Sequence, residues 1–198
     1  MSAAGRNGWI NRKSALVILG AATVGFTIAL YLLDPGVRGH GASISDFEFA
    51  GSPARAAQIV AGWGPEGRRL AHLGLLLDYG YMLSYGLFFA LAGFAVCDAA
   101  RAREWRRMAR AGTVVPYFAL AAACFDASEN VALLLTLAGH GGGFAPPFAT
   151  ACSSVKWTLI GIAILYVLCG LVLLLKAHCW VRADPREARA DSPRGSRQ

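Results

Sequence analysis

Charge is scarce in this chain. Only 16% of its 198 residues are Asp, Glu, Lys or Arg, against about 25% in an ordinary soluble domain, which excludes a solvated globular surface over most of its length. Cysteine offers no framework. The five cysteines (Cys97, Cys124, Cys152, Cys169 and Cys179) are odd in number, contain no C-x-x-C spacing, and four of them fall inside apolar runs. That excludes a disulfide scaffold and a dithiol redox centre, and leaves small apolar side chains for helix packing. The sequence has no internal repeat and no nucleotide-binding glycine motif. No histidine lies deep within an apolar run, so bis-histidine haem in a bilayer is excluded as well. His40, His72 and His140 all fall near run ends, close to Asp46 and Glu48, but at spacings that match no metal motif. No metal and no cofactor is expected.

What the chain does have is apolar length: 56% of its residues are hydrophobic. A bilayer core of about 30 Å takes roughly 20 apolar residues in a helix. Four runs reach that length, at about 15–33, 70–97, 113–138 and 148–176. The first is expected to end at Asp34-Pro35-Gly36. The third has Pro116 near its start, where a proline does least harm, and the fourth is entered through Pro146-Pro147. None alternates polar and apolar residues as the strands of a membrane barrel would. The expected fold is therefore all-α, a four-helix antiparallel transmembrane bundle occupying 15–177, with an ordered extracytoplasmic first loop. Residues 1–14 form an N-terminal tail in this reading. Residues 178–198, rich in Arg, Asp, Glu, Pro and Ser toward their end, form a disordered one.

The net charge of +7 raises the question of nucleic acid, and the positions of the basic residues answer it. Fourteen Lys and Arg lie in the N-terminal tail, the 98–112 loop and the C-terminal tail, while only Arg38, Arg55, Arg68 and Arg69 lie on the other side. Such asymmetry is a topology signal. It puts both termini in the cytoplasm of a multi-pass plasma-membrane protein, with the lipid bilayer and no nucleic acid as partner. The first run exceeds the usual signal-peptide core and is followed by no A-x-A site, so it is expected to be retained.

The first outer loop is long and not wholly polar. Residues 43–49 alternate polar and apolar side chains, which predicts an extended segment. Ser52-Pro53 reads as an N-cap followed by proline at the first helical position. The helix it opens carries Ile59, Val60 and Trp63 as anchors and is broken by Gly62 and Gly64. Such a loop suits a cap over the mouth of the bundle.

The informative residues are charges inside the spans. Asp78, Tyr81 and Tyr85 share one face of the second. Asp126, Glu129 and Asn130 share one face of the third, continued by Ala119, Ala122 and Ala123. Ser153 and Lys156 share one face of the fourth. At 1.5 Å per residue, Asp78 and Lys156 lie about 10–12 Å below the outer helix ends, and Asp126 about 18 Å. Exposing any of them to lipid costs at least about 2.5–3.5 kcal/mol, so they are expected to face inward and meet. Three acids against one lysine leave an excess of negative charge that a low dielectric does not hold, so one or two carboxyls are expected to be protonated or hydrated.

Taken as a set, Asp46-Phe47-Glu48-Phe49-Ala50-Gly51, Trp63-Gly64, Asp78 with Tyr85, Asp126-x-x-Glu129-Asn130 and Lys156-Trp157 resemble an uncharacterised family of small four-span bacterial integral membrane proteins. The resemblance covers about residues 43–170 and implies a common fold and no activity. A looser likeness, in span count and buried acids, runs to the sterol-isomerase and sigma-2-receptor superfamily, and it carries over no residue. Three functions fit the buried charges. The first is binding or transformation of a small lipophilic molecule in a polar pocket in the outer half of the membrane, built from Asp78, Tyr81, Tyr85, Asp126, Glu129, Asn130, Ser153 and Lys156. Asp126 and Glu129 are then the candidate acid–base pair. The second is a non-catalytic partner subunit for another membrane protein, whose charges fix helix packing. The third is ion or proton-coupled transport.

Overall fold

Apolar runs of this length have one economical way to satisfy their backbone in lipid, which is to bond every N–H and C=O within the segment. A computed structural model of the chain describes residues 3–39 and 41–183, all of whose regular structure is helical. His40 and residues 184–198 of the expected C-terminal tail lie outside the described residues. The helices are α1 (Ala3–Arg38), α2 (Ile44–Glu48), α3 (Pro53–Ala102), α4 (Arg106–Ala111), α5 (Val115–Leu137) and α6 (Ala145–Ala183). Four stretches, Asn11–Asp34, Pro53–Ala102, Arg106–Leu137 and Ala145–Ala177, are long and apolar enough to cross a membrane. The chain is a multi-pass membrane protein by helix length and composition.

α3, α5 and α6 pack together as the heart of the bundle, and small residues set their spacing. Gly86 of α3 lies directly against Ala123 and the Ala119 carbonyl of α5. Ala119 and Ala122 are fully buried there, so the alanine face is a helix-packing surface and not the wall of a pocket. α1 is different. It packs along α3 and makes no comparable interface with α5 or α6, and none of its most apolar window is buried. Phe26 of α1 lies on Gly80 of α3, and Phe88 of α3 on Gly20 of α1. At the far end Arg12 pairs with Asp98 at 2.7 Å. The first helix does not stop at Asp34-Pro35-Gly36, as expected, but continues to Arg38. Asp34 and Arg38 pair at 2.6 Å across that last turn, and Val37 is buried beneath the cap. These contacts offset the hydrogen bond that Pro35 cannot make.

The first loop folds over one end of the bundle. Residues 43–49 are not the extended segment that their alternation predicts. They form the single helical turn α2, because Ser43 and Asp46 make a capping box. The Ser43 hydroxyl accepts from the Asp46 N–H at 3.1 Å, and the Asp46 carboxylate accepts from the Ser43 N–H at 2.8 Å. The Ser43 hydroxyl also donates to that carboxylate at 2.7 Å, and this bond, with the one from the Ser43 N–H, holds Asp46 below the usual carboxylate range. Ser52 caps α3 through the Arg55 N–H at 3.3 Å, with Pro53 at the helix start. Within α3 the backbone breaks at Gly64, whose φ of 60° and ψ of −169° suit only glycine. The break lets the first part of α3 fold across the bundle end. Trp63 is buried there, donates its indole N–H to the Ala42 carbonyl at 2.6 Å, and meets the edge of Phe47.

Candidate functional site

Each charged residue inside the bundle is placed by its helix period. On α5 the buried positions Ala119, Ala122, Asp126, Glu129, Asn130 and Leu133 make one stripe. On α6 the corresponding stripe is Ala149, Cys152, Ser153, Lys156, Ile160 and Ala163. Facing these stripes across the α5–α6 contact brings Lys156 to both acids of α5. Its ammonium donates to Asp126 Oδ1 at 2.8 Å and lies 2.9 Å from Glu129 Oε2. Tyr85 of α3 donates its hydroxyl to the other Asp126 oxygen at 2.9 Å. One helical turn nearer the cap, Asn130 Nδ2 donates to Asp78 Oδ2 at 2.7 Å. Tyr81 stands edge-on to Tyr85, with ring centroids 5.1 Å apart.

A further acid joins this cluster. Glu48, the last residue of α2, points down from the cap and brings Oε2 to 3.8 Å from the Lys156 ammonium. That oxygen is buried and takes no hydrogen bond among the described residues. Thr150 of α6 fixes the turn in place, donating to the Glu48 carbonyl at 2.9 Å and accepting from the Gly51 N–H at 3.0 Å. Burial pushes the Glu48 carboxyl up to about 8 from an ordinary 4.5; Lys156 opposes the rise, and Glu129, Asp78 and Asp126 add to it. Sequence reasoning placed Glu48 in the loop and not in the cluster. The available signal was the S-x-x-D capping box, which makes residues 44–48 helical and turns Glu48 inward while Phe47 is buried.

Beside the cluster lies a cavity of about 430 Å³, within the range of roughly 300–1,000 Å³ typical of small-molecule sites. Its back is α3, from Leu70 to Phe89. Asp78, Tyr81, Tyr85, Asp126, Asn130 and Lys156 line it, and Glu48 and Ser45 line its cap end. Its two sides belong to α1 and α6, the helices that do not pack on each other. Tyr31 and Trp157, 75% and 57% exposed, stand at those edges. The cavity therefore opens sideways, between α1 and α6, where a spanning bundle meets lipid tails.

Glu129 and Ser153 are brought to the cluster but not to the cavity. Glu129 is wholly buried behind Lys156, held by that ion pair and by the Ser153 hydroxyl beside it. Ser153 is equally buried, with its hydroxyl facing the Glu129 carboxyl. The polar side chains that a molecule in the cavity would meet include Asp34, Ser45, Glu48, Asp78, Asp126, Asn130 and Lys156 with Tyr31, Tyr81 and Tyr85, set among apolar side chains. Such a wall can orient a polar head, exchange a proton with it, or balance its charge.

Comparison with protein-family models, with curated proteins and with solved structures finds no match.

Proposed function

We propose that this protein binds a small lipophilic molecule that enters from the membrane through the gap between α1 and α6, with its polar end on the buried charge cluster. The observation that carries the reading is the cavity itself. A cluster kept only to fix helix packing is enclosed by side chains, whereas one wall of this cluster faces open space. The cap favours the same reading, because α2 and the start of α3 cover the bundle end and leave the lateral gap as the way in.

In this proposal Asp78, Tyr81, Tyr85, Asp126, Asn130 and Lys156 contact the ligand, and Glu129 and Ser153 support Lys156 from behind. With fourteen basic residues on one side and four on the other, the cap and cavity lie in the outer half of the plasma membrane and both termini are cytoplasmic. The resemblance to small four-span bacterial membrane proteins fits this placement and adds no ligand.

Native mass spectrometry of the purified protein, with lipidomics of what it releases, tests the reading. The expected result is one co-purifying lipophilic species at a fixed ratio, lost from an Asp126→Asn variant that keeps its melting profile. No bound species, together with a stoichiometric protein partner, would defeat the proposal in favour of a packing subunit.

A further inference from the structure

The charges on the cavity wall do not balance, and the imbalance has a location. Glu48, Asp78 and Asp126 line the space, with Glu129 immediately behind, and Lys156 is the one cation among them. Lys156 is committed to Asp126 and Glu129 at 2.8 and 2.9 Å. Asp78 is left with a single neutral partner, the Asn130 amide on Oδ2, and its other oxygen takes no hydrogen bond among the described residues. Glu48 Oε2 is likewise without a hydrogen bond. The remaining charge on the cavity sides, Asp34, is answered locally by Arg38.

Resting on the binding reading above, we propose that the ligand is a single-chain amphiphile with a protonated amine head. Asp78 is the ammonium site, and Glu48 closes over the head from the cap. Without a bound cation the excess is relieved by protonation, Glu48 holding its proton up to about 8; a cationic head supplies the charge that lets such carboxyls ionise. A carboxylate or phosphate head adds to the excess instead. A hydroxyl head gains only a neutral hydrogen bond, roughly half as strong as a charge-assisted one. The Tyr81 and Tyr85 rings line the same cavity, and a cation over the face of either gains a further attraction.

Shape narrows the class. On α3 the lining runs from Leu70 to Phe89, about 28 Å at 1.5 Å per residue, yet the cavity holds only about 430 Å³. Its lining is therefore elongated along α3. From Asp78 to Phe89 it extends about 16 Å, walled by Phe89, Ile160 and Ile164. That is room for an extended alkyl chain.

The test uses full-length protein in lipid nanodiscs. Three probes share one saturated chain, dodecylamine, dodecanol and dodecanoate, and empty nanodiscs subtract partition into lipid. The expected result is saturable binding of the amine about ten-fold or more tighter than the alcohol, with no saturable binding of the carboxylate. Asp78→Asn, which keeps the shape and can still accept from Asn130, removes that preference. Ile164→Trp, which fills the tail end without touching Asp78, weakens the amine and the alcohol alike. Saturable binding of amine and alcohol with equal affinity, unchanged in Asp78→Asn, overturns the amine assignment and leaves the binding reading standing. Tighter binding of the carboxylate also overturns it and moves the head site to Lys156. Saturable binding of none of the three overturns both. Size-exclusion and melting profiles of each variant show that loss of binding is not loss of fold.

Discussion

Removing the ammonium of Lys156 gives the sharpest stability test of the buried cluster. Lys156→Met keeps an unbranched side chain of similar length, so little packing is lost and the change is nearly one of charge alone. The structure apportions the damage. Asp126 keeps the Tyr85 hydroxyl at 2.9 Å, whereas Glu129, wholly buried, keeps only the Ser153 hydroxyl beside it. Breaking a buried pair by deleting one partner costs about 3–5 kcal/mol, and most of it here falls on Glu129. Adding Glu129→Gln removes the stranded charge and is expected to return about 1–3 kcal/mol, the size of a coupling within one network. Glu129→Gln alone leaves Lys156 with Asp126 and Glu48 and is expected to cost less than Lys156→Met. The assay is reversible unfolding of the four proteins in mixed micelles by added SDS, followed by helical circular dichroism. A Lys156→Met variant within about 0.5 kcal/mol of wild type, or a double variant no more stable than Lys156→Met, would refute the reasoning.

Other consequences are directly measurable. Reporter fusions at Arg106 and Gln198 are expected to read cytoplasmic and one near Ala57 external; an external reading at Gln198 rejects the topology. Glu48 is pushed up to about 8 from 4.5, so the folded state holds its proton over a range where the unfolded chain has shed it. The stability this supplies is fully present below the unfolded value and is lost as pH rises through about 8. Melting temperatures from pH 4 to 9 (about the window of that shift) are therefore expected to fall in wild type relative to Glu48→Gln, and parallel curves would disprove the assignment. Trp63→Ala removes a buried ring, its bond to Ala42 and its contact with Phe47. It is expected to cost about 3–5 kcal/mol and to speed proteolysis within 41–52, while an unchanged digestion rate would show that Trp63 does not hold the cap.

Much of this arrangement is legible in the residues before any coordinates. Span number follows from four long apolar runs. The meeting of Asp126 and Glu129 with Lys156 follows from helix spacing and the cost of charge against lipid. Ser52-Pro53 and Gly64 announce a cap and a break, and both are where they announce, while Gly62, also read as a breaker, stays helical. Residues 43–49 mislead because seven alternating residues satisfy a strand period while Ser43 and Asp46 satisfy a capping box, and the box decides. Missing that turn hides Glu48, which enters the cluster only because α2 aims it there. Asp34-Pro35 looks like a stop, yet burial of Val37 carries the helix one turn further. Helix spacing also cannot show which face of a small-residue stripe meets another helix. Ala119 and Ala122 lie against α3, and the cavity forms instead beside α1, whose sequence holds no sign that it packs on one neighbour alone.

That solitary packing of α1 bears on how the chain is made. The ribosome delivers α1 first, and it can rest in the bilayer as a simple apolar rod, since its own acid Asp34 is matched four residues later by Arg38. α5 has no such independence. Its two acids emerge before the lysine that answers them, and the Asp126 partner comes 30 residues later. Leaving those carboxyls against lipid meanwhile costs at least about 2.5–3.5 kcal/mol each on insertion scales. α5 and α6 therefore leave the translocation machinery most cheaply as a pair, joined by the short 138–144 connection.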